Sequence, residues 1–107
     1  MKSITDRAEV SIDFPGKAYM GAFGRESSFD VKVEADEVRL RIVREGAERR
    51  EIAVYLHYYL LADILKELGR GLVHHEFLDE AHLQSLRSGA ATLLQSLDDH
   101  PVSAEKK

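Results

Sequence analysis

Histidine is the residue type in this sequence that most directly suggests chemistry, because a neutral imidazole can bind metals and move protons near neutral pH. The chain has five histidines: His57, His74, His75, His82 and His100. If one helix ran through residues 74–82, His75, Asp79 and His82 would lie at i, i+4 and i+7 on one face, a plausible divalent-metal arrangement. Asp79 is also a good N-cap residue, and a helix beginning there would break this spacing. We favour a polar loop and a capped helix here, with no metal and no cofactor.

His57 and Tyr58 form the second candidate for chemistry. By helical angle, His57 lies within the apolar stripe of the first predicted helix, beside Leu60 and Leu61. One interpretation is a proton shuttle or ligand contact in a pocket shared with Tyr58. The other is an imidazole hydrogen-bonded to the backbone of a neighbouring strand, which we favour because buried polar groups normally have partners.

Motifs for nucleophilic or phosphate chemistry are missing from the sequence. It contains no Gly-x-Ser-x-Gly, no phosphate-binding P-loop and no Gly-x-Gly-x-x-Gly, and the run Gly21–Gly24 is too short to replace them. We therefore predict that the chain is not an enzyme. A pocket enzyme or metal binder remains the less favoured alternative, and its residues would be His57, Tyr58, His75 and His82.

Basic side chains alternate with apolar ones along three consecutive predicted strands. They are Lys32, Arg39, Arg41 and Arg49, with Asp30, Glu34 and Glu51 among them. Tyr19 and Phe23 share one side of the preceding strand. If these rings face the same way as the basic side chains, single-stranded bases can stack on them while the basic groups bind phosphates. The alternative is a solvated face held together by cross-strand ion pairs.

The element pattern that positions these residues changes once along the chain. Alternation of apolar and polar residues predicts five strands, at about 9–14, 17–23, 29–34, 38–42 and 49–54. Helical periodicity follows over 56–70, with Gly69 and Gly71 as the expected stop, and again from the Asp79 cap to about residue 97. We predict an α+β fold: an antiparallel five-stranded meander followed by two C-terminal helices, at least one packed on the sheet.

Length and composition limit the classes of protein this chain can be. It has 107 residues, 44% hydrophobic and 32% charged, with no cysteine and a net charge of −4. The missing cysteines exclude disulfides and thiolate metal sites, and no apolar run is long enough to span a membrane. We expect one α+β domain over residues 1–100, a disordered polar tail over 101–107, no membrane contact and a cytoplasmic location.

The order of elements over residues 17–70 resembles a single PUR repeat, a single-stranded nucleic-acid-binding module with four antiparallel strands and a helix. The segments that carry the resemblance are Lys17–Phe23, Ser28–Lys32, Arg39–Ile42, Arg50–Val54 and Leu61–Leu65. The resemblance implies a binding site on the sheet face and a functional unit built from two repeats. Because this chain holds one repeat, that unit would be a homodimer.

Together these patterns predict a small, non-catalytic, self-associating module. Its leading ligand is single-stranded nucleic acid, with Lys32, Arg39, Arg41 and Arg49 on phosphates. Tyr19 and Phe23 would stack on bases. The alternative is a structural domain that docks a protein partner or a second copy through its second helix. One flank of that helix carries small residues that permit close approach, namely Ser85, Gly89, Thr92 and Ser96.

Overall fold

The computed structural model describes residues 1–75 and 78–101, and its contacts divide the chain into two compact units, residues 1–67 and residue 68 onward. The elements are β1 (Lys2–Ser3), β2 (Ala8–Phe14), β3 (Lys17–Phe23), β4 (Ser28–Val33), β5 (Glu37–Arg44), β6 (Arg50–His57), α1 (Tyr58–His74) and α2 (Glu80–Asp99). The α+β class and the two C-terminal helices are confirmed. The single domain over 1–100 stays a prediction, and residues 102–107 of the predicted tail lie outside the described residues.

Strands β2 and β3 form a two-stranded hairpin of their own. Their register runs from Ala8 opposite Phe23 to Phe14 opposite Lys17. Pro15 and Gly16 make the connection, where Gly16 has a φ of 80°, a backbone conformation that favours glycine. Proline followed by glycine is a common turn sequence, and the hairpin that it closes has Val10, Ile12 and Tyr19 on one face.

The remaining strands form a four-stranded antiparallel sheet in the order β1-β4-β5-β6. The prediction of one five-stranded meander is wrong: there are six strands in two sheets. Strand β1 pairs with β4, as Lys2 lies opposite Phe29 and Ser3 opposite Ser28. This N-terminal strand occupies the edge where the meander would have placed β3. A two-residue strand has too little alternation to be recognised in a sequence.

The few buried residues lie at the end of the hairpin and at both ends of β5. Phe23 at the end of β3, Val38 and Val43 are the buried apolar side chains among the described residues. Ser27 is also buried; its N–H donates to the carbonyl of Gly24, and its own carbonyl accepts from the N–H of Ile4. This tight turn over 24–27 folds Phe23 against β5 instead of letting β3 run on beside β4.

Strand β6 passes into helix α1 without an intervening residue, because the strand ends at His57 and the helix begins at Tyr58. Tyr58 fixes this junction to the β4–β5 turn. Its hydroxyl donates to the carbonyl of Glu34 at 2.8 Å, and its N–H donates to the carbonyl of Asp36 at 3.4 Å. The prediction that His57 lies in the helix is therefore wrong, because His57 is the last residue of β6.

The glycines expected to end the first helix lie inside it. Helix α1 continues through Gly69 and Gly71 to His74, and neither glycine adopts the positive φ of a helix stop. Each interior glycine costs about 1 kcal/mol of helix stability relative to alanine, which the longer helix tolerates. No residue of α1 is buried, so the expected cover of the sheet by this helix is not observed.

Helix α2 begins as the sequence predicted. Asp79 is its N-cap, and the Asp79 carboxylate accepts a hydrogen bond from the N–H of His82 at 2.9 Å. This bond lowers the pKa of Asp79, with the nearby His82 ring acting in the same direction. Among the described residues, no helix is long and apolar enough to cross a membrane.

Candidate nucleic-acid interface

Cross-strand register sorts the four-stranded sheet into two chemically different faces. The charged face carries Asp30, Lys32, Arg39, Arg41 and Glu51, and the apolar face carries Val31, Val33, Leu40 and Val54. Residues directly opposite each other in an antiparallel pair project from the same face. The predicted alternation of basic and apolar side chains on these strands is confirmed.

Asp30 is the centre of an ion-pair network on the charged face. Its carboxylate lies 3.0 Å from Arg41 Nη2 and 3.7 Å from Arg39 Nη2. Arg41 also reaches Glu51, with 3.5 Å between Arg41 Nη1 and the carboxylate. The hydrogen bond to Asp30 raises the pKa of Arg41, although partial burial opposes this. The network therefore holds both guanidinium groups in fixed positions.

Burial of these groups is substantial for a charged surface. The side chains of Arg39 and Arg41 are 25% and 27% exposed, and the Nε atoms of both are buried without a hydrogen-bond partner. Unpaired buried donors are costly, so these two groups offset part of the stability that the ion pairs provide. The terminal nitrogens of these side chains already contact the carboxylates of Asp30 and Glu51, which a phosphate would displace.

Lys32 and Arg49 are the more exposed cations at the two ends of this surface. Lys32 Nζ lies 3.4 Å from Glu34, and Arg49 contacts Glu45 at 3.3 Å and Glu51 at 3.0 Å. Arg49 precedes β6 instead of lying within it. Exposed pairs of this kind contribute little to stability, so a phosphate can replace their carboxylates at small cost.

Tyr55 is the residue that the sequence reasoning missed. It pairs with Arg39, which in turn pairs with Lys32, so one row across three strands reads Lys32, Arg39, Tyr55. The ring is 59% exposed and shares the charged face. The sequence could have predicted this position, because Tyr55 follows Glu51 and Ala53 at the two-residue spacing of one strand face. The onset of helical periodicity at residue 56 concealed that the strand continued.

The two rings expected to stack on bases have different positions. Phe23 is 3% exposed, so the expectation that it is an exposed ring is wrong; the turn over 24–27 folds it into the core. Tyr19 is 51% exposed but belongs to the hairpin, not to the four-stranded sheet. It contacts Phe14 edge to face, with 6.0 Å between ring centroids.

The histidines do not converge on one site in the described part of the chain. His57 is exposed at the end of β6, where its Nε2 lies 3.4 Å from Glu37. His82 Nδ1 lies 2.8 Å from the Asp79 carboxylate, so Asp79 acts as a cap and not as a mid-helix ligand. No group of three potential ligand side chains among the described residues is placed to hold a metal.

The arrangement thus offers an exposed tyrosine beside fixed guanidinium groups on a sheet face that also carries carboxylates. The chemistry it supports is non-covalent recognition of planar rings and anionic oxygens. In comparisons with protein-family models, curated proteins and solved structures, no match to this chain was found.

Proposed function

We propose that this chain is a non-catalytic module that binds single-stranded nucleic acid on the charged face. The observation that supports this proposal is the cross-strand alignment of Lys32, Arg39 and Tyr55. It places an exposed ring next to two cations on adjacent strands. Base stacking on an aromatic side chain contributes about 1–3 kcal/mol per base and accepts any base. The resemblance of residues 17–70 to a PUR repeat supports the same ligand class.

The roles follow from exposure. Lys32 and Arg49 contact phosphates directly, since their side chains are at least half exposed. Arg39 and Arg41 contact phosphates through their terminal nitrogens, where the phosphate displaces Asp30. Tyr55 takes the stacking role first assigned to Phe23, and Tyr19 keeps that role on the hairpin.

Titration of a fluorescein-labelled single-stranded oligonucleotide tests this function. With four phosphates neutralised, one by each of these cations, the slope of log K against log salt concentration should be about −2.8. Lys32→Gln should flatten the slope by about 0.7, whereas Lys66→Gln on helix α1 should leave it unchanged. Absence of binding at low salt, or binding independent of salt, contradicts the proposal.

Self-association is a second function, favoured by the apolar face. Val31, Val33, Leu40 and Val54 are all exposed there. The first turns of α1 expose three more apolar side chains, Leu60, Ile64 and Leu65. No residue separates β6 from α1, and the Tyr58 hydroxyl is bonded to the carbonyl of Glu34. Helix α1 therefore has no loop that would let it fold back over its own sheet.

A second copy of the chain is the occupant that fits this surface. The seven exposed side chains present about 350 Å² of apolar area, taking about 100 Å² for a fully exposed aliphatic side chain. A standard interface buries about 800 Å² per partner, of which somewhat more than half is apolar. The exposed aliphatic side chains thus supply most, but not all, of the apolar area of a standard interface, and sedimentation equilibrium measures whether the chain forms a homodimer.

A further inference from the structure

A cleft between the hairpin and the start of β6 lies outside the row that carries the proposed function. It has a volume of about 420 Å³, and its lining includes Val10, Ile12, Tyr19, Arg49, Arg50 and Ile52. The walls are aliphatic and aromatic, and the two arginines supply cationic groups. Small-molecule sites combine this size with apolar walls and a few polar groups that fix orientation.

The tyrosine in this cleft is held in place by its neighbour. Phe14 meets Tyr19 at an interplanar angle of 76°, an edge-to-face contact that restricts the ring while leaving Tyr19 half exposed. A preorganised ring loses little conformational entropy when a flat group stacks on it. The apolar walls and this ring therefore suit a planar aromatic group.

The arginines in the cleft suit an anion attached to that planar group. Arg50 lies 3.6 Å from Glu48 and Arg49 lies 3.3 Å from Glu45, and both of these glutamates are largely exposed. Glu51, also in the lining, is held by Arg41 and Arg49. Exposed carboxylates are readily displaced by a phosphate, which arginine binds in a bidentate manner.

We infer that this cleft is a nucleotide subsite, in which one base stacks on Tyr19 and its phosphate binds Arg49 and Arg50. The inference rests on the proposed function, because Arg49 also belongs to the charged face, and it adds a base-binding position to that face. Arg49 links the two surfaces through its 3.0 Å contact with Glu51. A strand lying along the charged face would place one nucleotide in the cleft.

Gly21 provides a way to narrow the cleft without replacing its arginines or tyrosine. A Cβ built at Gly21 would lie 3.7 Å from Phe23 and 3.9 Å from Arg50, both ordinary contacts, and its φ is not positive. Gly21→Leu therefore extends an aliphatic side chain into the lining of the cleft. Ala18→Leu is the matched control, since Ala18 lies on the opposite face of the same strand.

The test compares a labelled thymidine oligonucleotide with an abasic oligonucleotide of equal length, by fluorescence anisotropy. We expect Gly21→Leu to weaken binding of the thymidine oligonucleotide about tenfold and to leave the abasic one unchanged, because stacking on one base is lost. Ala18→Leu should change neither affinity. Arg50→Gln should weaken binding of both oligonucleotides, and it serves as the second variant if Gly21→Leu fails to fold.

Failure of the subsite and failure of the proposed function give different results. Salt-dependent binding that Gly21→Leu and Arg50→Gln leave unchanged overturns the subsite and keeps the charged face. If neither oligonucleotide binds, thymidine monophosphate is titrated and backbone amide shifts are recorded by NMR. Shifts at Ile12, Tyr19 and Gly21 then support the subsite without the charged face, and their absence overturns both.

Discussion

Two groups of side chains on opposite faces of the four-stranded sheet have exposures opposite to those expected in an ordinary monomer. On the charged face, Arg39 and Arg41 are about one-quarter exposed and are held by Asp30. On the apolar face, Val33 is 74% exposed. Folded chains normally bury aliphatic side chains and leave arginine in water. The ion pairs organise the charged face within one chain, whereas the exposed aliphatic side chains of the apolar face are the basis of the proposed homodimer.

The largest effect is expected from placing a carboxylate on the apolar face, at Val54, and comparing it with the same change on the charged face, at Ala53. Val54 projects from the apolar face and Ala53 from the charged face. Val54→Asp places an unpaired carboxylate in each half of a symmetric interface, and should weaken dimerisation by about 100-fold or more. Sedimentation equilibrium measures the change.

Ala53→Asp is the matched control for this substitution. It should leave the dimer intact and weaken oligonucleotide binding, since it adds a negative charge opposite Arg41. A wild-type chain that sediments as a monomer, or a Val54→Asp chain that still dimerises, contradicts the account of the apolar face. Circular dichroism of both variants separates loss of dimer from loss of folding.

Asp30→Asn tests whether the charged face binds phosphates or is only held together by ion pairs. Removing this carboxylate frees Arg39 and Arg41 for phosphates and lowers the negative charge of the face. Affinity for a single-stranded oligonucleotide should rise about three- to tenfold at low salt, and the melting temperature should fall slightly. If the face is only a solvated ion-pair surface, the melting temperature falls while oligonucleotide affinity stays the same.

Tyr55 separates stacking from charge on the same face. Tyr55→Leu keeps an apolar side chain next to Arg39 but removes the ring, so affinity should fall about fivefold or more while the salt slope is unchanged. Tyr55→Phe keeps the ring and should retain nearly full affinity. Equal losses in the two variants would show that the hydroxyl, and not stacking, matters here.

The smallest expected effect lies away from both faces, at the cap of α2. The pKa of Asp79 is lowered by the hydrogen bond from the His82 N–H, so its stabilisation is present above its ordinary pKa of 3.8 and is lost as the pH falls through the lowered value. Asp79→Ala should therefore reduce helicity measured by circular dichroism at neutral pH. The difference from the wild type should shrink as the pH falls below 3.8.

Local patterns predicted the elements well, but not their partners. Alternation located β2 to β6 because one face of each strand is apolar, and the Asp79 cap located α2. The separate hairpin was missed because strand pairing depends on the turn over 24–27, which ends at the buried Ser27, and on β1. Neither feature has a periodic signal.

The site was predicted in part for a similar reason. Side-chain alternation placed Lys32, Arg39 and Arg41 together on one face, which the register confirms. It could not choose the buried side of β3, where rings and small residues alternate without a clear polar face, and Phe23 proved to be core. Tyr55 lay in phase with the charged residues but next to the helical pattern.

The direct passage from β6 into α1 has a consequence for how this chain tolerates insertions. With no spare residue between His57 and Tyr58, one inserted amino acid turns the start of the helix by about 100° about its axis. Leu60 and Ile64 would then point a quarter-turn away from their present direction. Length variation should therefore be selected against at this junction.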